Sequence, residues 1–262
     1  MVTDTKRTIA LVLSGGSARG LAHLGAIKVF KEEGITFDLI VGSSIGSLVG
    51  AVYALDCPLD EILKIALRTS ANDIIDVTLS RMGLVEGNKL EALIRAAVGG
   101  RTFADVKIPL AIATVDIETG EEVCFTSGDL VKVIKASCSL PGIFKPVEID
   151  GRLLMDGGIK HHLPTGIAKK IGADHTVAID VGFCVKKAKI ANMFGIIMQS
   201  IQILGQELSQ HQSGEADLLI RPDLGEDMDQ MAFDKASYII SKGEEAARAA
   251  VPQLKKLMEG RR

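Results

Sequence analysis

Short apolar runs alternate with longer amphipathic segments along most of this chain. Three of the runs, at residues 8–13, 38–41 and 176–180, are continuously apolar apart from their end residues. Strands that are buried on both faces have this pattern, whereas half-exposed strands alternate apolar and polar residues. Together with other β-branched runs, the pattern predicts strands at 8–13, 38–41, 109–115, 123–125, 153–155, 176–180 and 218–220.

The segments between these runs have the spacing of apolar residues that is typical of helices. They predict helices at 22–33, 45–55, 59–69, 88–97, 129–137, 165–171, 193–212 and 233–258. Alternating strands and helices favour right-handed crossovers, and therefore a mainly parallel central sheet with helices on both faces. We predict one α/β domain over residues 1–262, with a core at about 8–220 and a C-terminal helical segment at about 233–258.

Composition narrows the class of protein. Hydrophobic residues make up 47% of the chain, but aromatic residues only 4%, so aliphatic side chains must build the core and any apolar pocket. A formal charge of −3 argues against a nucleic-acid partner, which usually needs a basic face. The cysteines have no CxxC spacing and no signal peptide begins the chain, so we expect reduced thiols, no zinc site and a cytoplasmic protein.

A glycine-rich loop, SGGSARG at residues 14–20, follows the first predicted strand and leads directly into a helix. The N–H groups of such a loop converge on an anion, and the helix N-terminus adds positive dipole character. A P-loop is excluded because the loop lacks Gly-Lys-Ser/Thr. A dinucleotide site fits poorly, because Ser17 replaces a glycine and Asp38 begins the second apolar run instead of ending it. An oxyanion hole or a simple tight turn are the other interpretations, and the turn does not account for Arg19.

The second predicted strand leads into GSSIG at residues 42–46, which an apolar helix follows. This is G-x-S-x-G in the strand–turn–helix context that a nucleophile elbow requires. Its central residue, Ser44, is the predicted nucleophile, and Gly42 and Gly46 leave room for a strained turn. We interpret Ser43 and Ser47 as capping or packing residues.

A serine hydroxyl is a weak nucleophile until a base takes its proton. His161 and His162 are the histidines after Ser44 that best suit a catalytic triad. Asp156 ends a predicted strand just before Gly157-Gly158, and it could accept the proton directly if burial made it more basic. A turn-forming Asp-Gly is the third interpretation, and these residues alone leave the three open.

Taken in order, the glycine loop, the serine turn and the Asp156-Gly157-Gly158 motif resemble the patatin-like phospholipases, most closely the small bacterial members. Residues 136–147 look like the segment that precedes the aspartate motif in that family, and the resemblance covers about residues 8–219. It implies a three-layer α/β sandwich of the acyl-hydrolase type, with no metal or cofactor.

The resemblance also implies a Ser–Asp dyad, with Ser44 as nucleophile and Asp156 as base. It assigns an oxyanion hole to the N–H groups of Gly15, Gly16 and Ser17, with Arg19 positioning or polarising the loop. The substrates it implies are phospholipids, lysophospholipids or neutral acyl esters. An acyltransferase with the same serine and a non-catalytic lipid-binding regulatory protein are the alternatives.

Two departures from the family pattern bear on the site. Ser17 stands where relatives usually have a third glycine, and its N–H should still serve if its φ is negative. His161 and His162 stand where many relatives carry Asn or another small polar residue. We interpret both as surface residues, with contact to a lipid headgroup as the alternative.

Contact with a membrane depends on one predicted helix. Its apolar residues at helical spacing are Met193, Phe194, Ile197, Met198, Ile201 and Leu204. We expect this stripe to pack on the sheet, and a lid or a helix that contacts the membrane peripherally is the alternative.

Overall fold

A computed structural model describes residues 7–76, 85–182, 185, 193–225 and 228–259. The strands in these ranges are β1 (Ile9–Leu13), β2 (Leu39–Ser43), β3 (Leu110–Asp116), β4 (Glu122–Phe125), β5 (Val147–Ile149), β6 (Arg152–Asp156), β7 (His175–Ile179) and β8 (Leu218–Ile220). The helices are α1 (Leu21–Glu32), α2 (Ile45–Ala54), α3 (Leu59–Arg68), α4 (Asn88–Val98), α5 (Leu130–Ser137), α6 (Thr165–Lys170), α7 (Met193–Ser213) and α8 (Ala236–Glu259). Every predicted strand and helix is present, and a 3₁₀ turn at Phe233–Lys235 shortens the start of α8.

The strands form one sheet in the order β5-β6-β3-β2-β1-β7-β8, and β4 pairs with β3 beside that path. From β3 through β2, β1 and β7 to β8, all neighbours are parallel. This confirms the mainly parallel sheet. The other pairings are antiparallel and include β5, which the sequence did not predict because three residues have no recognisable period.

Helices cover both faces of the sheet, and the side chains of β1 show the division. Leu11 and Leu13 belong to the larger core, which also contains buried residues of α1, α2, α5 and α8. Ala10 and Val12 belong to a smaller core that includes residues of α6. Because alternate strand residues face opposite sides, β1 contributes to both cores and is apolar throughout.

The carboxyl ends of parallel strands lie at the same edge of the sheet. The glycine loop, the serine turn and the aspartate motif meet at this edge. Leu13 of β1 pairs with Gly42 of β2, so the glycine loop and the serine turn begin side by side. β6 runs antiparallel to β3 and places Asp156 opposite Thr114. Since Ala113 pairs with Ser43, the aspartate motif also arrives next to the serine turn.

Helix α7 does not pack on the sheet along its first half, so the expected packing of its apolar stripe is wrong there. Met193 is 76% exposed and Ile197 is 48% exposed. The faces of the sheet are already covered by other helices, and α7 contacts α6 and the turn after β6. The side chains of Phe194 and Met198 lie outside the described part of the structure.

The length and hydropathy of the helices also bear on membrane insertion. Within the described ranges, no helix is both long enough and apolar enough to cross a bilayer.

Candidate active site

Ser44 lies in the sharp turn between β2 and α2. Its φ of 52° and ψ of −128° place it in a sparsely populated region, which costs of order 1–3 kcal/mol for a residue other than glycine. A Cβ placed on Gly42 would lie 2.4 Å from the carbonyl oxygen of Gly46, and one on Gly46 would lie 2.3 Å from that of Leu13. The strained turn expected around Ser44 is therefore present. Gly42 and Gly46 permit it because a side chain at either position would clash with the backbone.

The side chain of Ser44 meets Asp156 at the end of β6. Ser44 Oγ donates a hydrogen bond to Asp156 Oδ2 at 2.7 Å, and the N–H of Gly158 donates to Oδ1 at 2.8 Å. Burial raises the pKa of Asp156 to about 6, although both hydrogen bonds oppose the rise. Asp156 is therefore ionised at neutral pH and more basic than an exposed aspartate, as a general base should be.

Ser137, the last residue of α5, holds the backbone of this turn. Its hydroxyl accepts a hydrogen bond from the N–H of Ser44 at 2.9 Å and donates one to the carbonyl of Ala113 at 2.8 Å. Ser47 Oγ donates to the carbonyl of Ser44 at 2.6 Å, in agreement with its interpretation as a packing residue. Sequence reasoning missed Ser137, whose only signal was its place in the family-like segment 136–147.

The glycine loop after β1 reaches the same place. Gly15 donates its N–H to the carbonyl of His162 at 2.9 Å, so that amide is already used. Among the described residues, no hydrogen-bond acceptor faces the N–H of Gly16 or of Ser17. Of the three amides that the sequence predicts for an oxyanion hole, only those of Gly16 and Ser17 have no acceptor within the described ranges.

The backbone of this loop is left-handed at Ser17, whose φ is 52°. The condition of a negative φ is not met, because only three residues connect the end of β1 at Leu13 to the 3₁₀ helix Ser17–Gly20. Gly16 has a φ of 140°, and a Cβ there would lie 2.5 Å from Val181 Cγ2. Glycine is required at position 16, whereas position 17 tolerates a strained serine.

Arg19 connects the glycine loop to the segment after β7. Its Nε donates to the carbonyl of Val181 at 2.9 Å, and its side chain is buried. Because Val181 follows β7, this bond ties the loop after β1 to the loop after β7. The contact supports a positioning role for Arg19.

The two histidines after the aspartate motif lie in different surroundings. His162 is only 1% exposed, so its expected place on the surface is wrong. The turn at Gly157–Ile159 bends the chain back under the glycine loop and buries it. His161 is partly buried and pairs with Glu122, with Nε2 2.5 Å from Oε2. The hydroxyl of Ser44 bonds to Asp156, and neither histidine takes the base's place in a triad.

The described residues also bear on three other features considered from the sequence, namely a dinucleotide site, a metal site and the cysteine thiols. Asp38 Oδ2 accepts the N–H of Ile9 at the amino end of β2, away from the loops, which excludes the dinucleotide interpretation. Within the described ranges, His, Cys, Asp and Glu side chains form no group that could hold a metal ion. Cys57, Cys124 and Cys138 are free thiols, and Cys184 lies outside the described residues.

An apolar cavity of about 520 Å³ extends from Ser44 and Asp156. Its walls come mainly from α2, α3, α4 and the segment after α5. Typical lining residues are Leu48, Val52, Ile62, Leu90 and Leu93, with Phe144 and Phe233 as aromatic additions. The lining is mainly aliphatic, as the composition predicted, and an apolar wall of this kind can hold an acyl chain.

Comparison with known sequences places this geometry in a family. The sequence model of the patatin-like phospholipase family matches residues 11–169. An uncharacterised NTE family protein of Mycobacterium tuberculosis is 36% identical over 176 residues, which are 66% of this chain and 49% of that protein. Patatin-like phospholipase domain-containing protein 6 of Homo sapiens is 34% identical over 186 residues, which are 68% of this chain and 14% of that protein. The chain thus spans about half the length of the mycobacterial relative and far less of the human one.

Solved structures show the same fold at low identity. VipD from Legionella pneumophila superposes with a TM-score of 0.63 at 13% identity, over 95% of this chain and 67% of that one. The type III effector ExoU superposes with a TM-score of 0.52 at 15% identity, over 95% of this chain and 53% of that one. The family match covers more than half of the chain and contains all three motifs. The chain therefore belongs to the patatin-like phospholipase family.

Proposed function

We propose that this protein is a serine acyl hydrolase that cleaves carboxylic esters of lipids through a Ser–Asp dyad. The observation that carries the proposal is the 2.7 Å hydrogen bond from Ser44 Oγ to Asp156 Oδ2, which joins a nucleophile to a base beside an apolar cavity. The family and the aliphatic lining support a phospholipid, a lysophospholipid or a neutral acyl ester as substrate.

In the proposed acylation, Ser44 Oγ attacks the ester carbonyl while Asp156 takes its proton. The carbonyl oxygen becomes an oxyanion that accepts hydrogen bonds from the N–H groups of Gly16 and Ser17, each worth ~3 kcal/mol. Asp156 then gives the proton to the leaving alcohol. Water releases the acyl group from Ser44 by the same steps in reverse order.

A fluorophosphonate ester probe tests the nucleophile. The protein should react covalently with one probe molecule. Mass spectrometry of peptides from the labelled protein should locate the modification at Ser44. The Ser44→Ala variant should not be labelled. Ser43→Ala is the matched control and should label normally, because Ser43 is the fully buried neighbour on β2. Labelling that survives in Ser44→Ala would contradict the assignment.

We also propose that the mouth of the cavity contacts a lipid surface. Ile117, Ile159, Leu204 and Met231 both line the cavity and are exposed, so they mark its mouth. Exposed apolar residues of α7 continue this surface, namely Met193, Ile196, Ile197 and Ile203. A contiguous apolar surface at the entrance to an acyl cavity is suited to a phospholipid bilayer, from which a substrate could enter without crossing water.

The double variant Met193→Ser/Ile197→Ser tests this contact. Its binding to phosphatidylcholine vesicles, measured by co-sedimentation, should fall at least about tenfold, since burying one such side chain is worth ~1.5 kcal/mol or more. Hydrolysis of a water-soluble ester should not change, because neither residue lines the cavity. Ile171→Ser is the control, since Ile171 is 42% exposed but precedes β7, at the opposite edge of the sheet. Equal loss in the control, or none in the double variant, would rule out the contact.

A further inference from the structure

The apolar cavity beside the dyad follows one face of helix α2. The residues of α2 in its wall are Ile45, Leu48, Val49 and Val52, which recur at helical spacing and therefore lie on one side of the helix. Because α2 begins directly after Ser44, this face leads away from the nucleophile. At ~1.5 Å per residue, the path from Ser44 to Val52 is ~12 Å long.

The mouth of the cavity lies on the other side of the dyad. Ile159, one of the exposed residues at the mouth, comes directly after the two glycines that follow Asp156. Met231, another of them, contacts the glycine loop, where Ser17 Oγ donates to Met231 Sδ at 3.8 Å. An ester that enters through this mouth and reacts at Ser44 therefore has the part of the cavity along α2 ahead of it.

Ala97 of α4 lies at the far end of this path. The thiol of Cys57, which follows α2, donates to the carbonyl of Ala97 at 3.7 Å. The N–H of Cys57 donates to the carbonyl of Val52 at 3.0 Å. Ala97 is thereby placed beside the last turn of α2, at the end opposite Ser44, and it is part of the cavity wall.

The side chains at this far end differ in size. Val52 and Ile62 are branched, buried side chains, whereas Ala97 carries only a methyl group. Among the described residues of α2, none beyond Val52 lines the cavity. The space left at this end therefore depends on a small residue at position 97, and a larger side chain there would occupy it.

We propose that Ala97 is a specificity-determining residue, which sets how long an acyl chain the cavity accepts. This inference rests on the proposed function and deepens it, since the acyl chain on Ser44 would lie along α2 with its end against Ala97. An extended chain advances ~1.2 Å per backbone bond, so the ~12 Å path holds about ten carbons. A chain of about eight carbons ends before Ala97, whereas one of about twelve carbons reaches it.

The variant Ala97→Phe tests this assignment with p-nitrophenyl esters of butanoic, octanoic and dodecanoic acid, all presented in the same detergent micelles. For the dodecanoate, kcat/KM should fall about 30-fold relative to wild type, because about two or three methylene groups lose their place in the apolar cavity. For the butanoate and the octanoate it should stay within about threefold of wild type, since neither chain reaches position 97. Ala97→Leu should give a smaller loss for the dodecanoate, about tenfold.

Ala96→Phe is the matched control. Ala96 precedes Ala97 on α4, but it is exposed and is not among the described residues of the cavity wall. Both variants make the same change in the same helix, so their effects on helix propensity are similar. Ala96→Phe should therefore hydrolyse all three esters as the wild type does.

The proposal is overturned if Ala97→Phe slows the three esters equally, if it slows none of them, or if Ala96→Phe discriminates against the dodecanoate to the same extent. It is also overturned if the wild type hydrolyses the butanoate but not the dodecanoate. Should Ala97→Phe not fold, Ala97→Leu takes its place with its own expected loss. Failure of the proposed function is seen separately, as turnover of the butanoate that persists in Ser44→Ala.

Discussion

Replacing Asp156 by Asn is expected to lower kcat for an ester substrate about 10³-fold, because the general base is lost. The wild-type rate should itself fall about tenfold for each pH unit below about 6, where Asp156 takes up a proton. The Asn variant should lack this titration. Initial rates between pH 4.5 and 8 on a water-soluble ester measure both effects.

The same substitution should stabilise the fold at high pH. The pKa of Asp156 is raised from 3.8 to about 6, so the folded state favours the protonated form. The stabilisation is fully present below the unfolded-state pKa and is lost as pH rises through about 6, a difference of ~3 kcal/mol. Asn keeps the shape without the charge, so the variant should be more stable than wild type by up to ~3 kcal/mol at pH 8 and by much less at pH 4.

Urea unfolding of both proteins at pH 4 and pH 8 measures this difference. Glu118→Gln is the matched control, since Glu118 is exposed in the turn between β3 and β4 and should change little at either pH. If the variant is no more stable than wild type at pH 8, then burying the ionised carboxylate of Asp156 does not destabilise the folded state.

Replacing Ser44 by Ala or by Gly is expected to abolish hydrolysis, with kcat lower by roughly 10⁴-fold or more because the nucleophile is gone. The two variants should nevertheless differ in stability. At a φ of 52° and a ψ of −128°, Gly is relaxed and Ala is strained. After allowing for the greater freedom of Gly in the unfolded chain, Ser44→Gly should be the more stable of the two by ~1 kcal/mol.

The control for this comparison is the same pair of substitutions at Ser47, inside α2. There Gly should be less stable than Ala by ~1 kcal/mol, because Gly is unfavourable within a helix. Opposite signs at positions 44 and 47 would confirm backbone strain at the nucleophile. The same sign at both positions would contradict it.

Much of the fold and the outline of the site could be predicted from local patterns. The run at 8–13 is apolar throughout because β1 is covered on both faces, and the elbow motif requires only a strand, two glycines and a helix. These features involve neighbours in sequence. The glycine loop and the elbow lie at one edge of the sheet because they follow neighbouring parallel strands.

What could not be predicted depends on contacts between distant segments. His162 is buried because the turn after Asp156 runs beneath a loop that lies more than a hundred residues earlier. Gly15 is conspicuous in the sequence, but only that contact shows that its N–H is already bonded. The stripe on α7 has a clear helical period, yet periodicity does not say whether a helix faces a sheet or the mouth of a cavity.

The burial of Asp156 has a consequence for the end of each catalytic cycle. In the proposed reaction, the newly formed fatty acid is released beside the Asp156 carboxylate, which is buried. Two neighbouring carboxyl groups in such a site cannot both ionise without strong repulsion. Above about pH 6 we expect that repulsion to favour release of the ionised product, whereas in acid a shared proton would hold it in place. The residue that starts the reaction would thereby also clear the site for the next substrate.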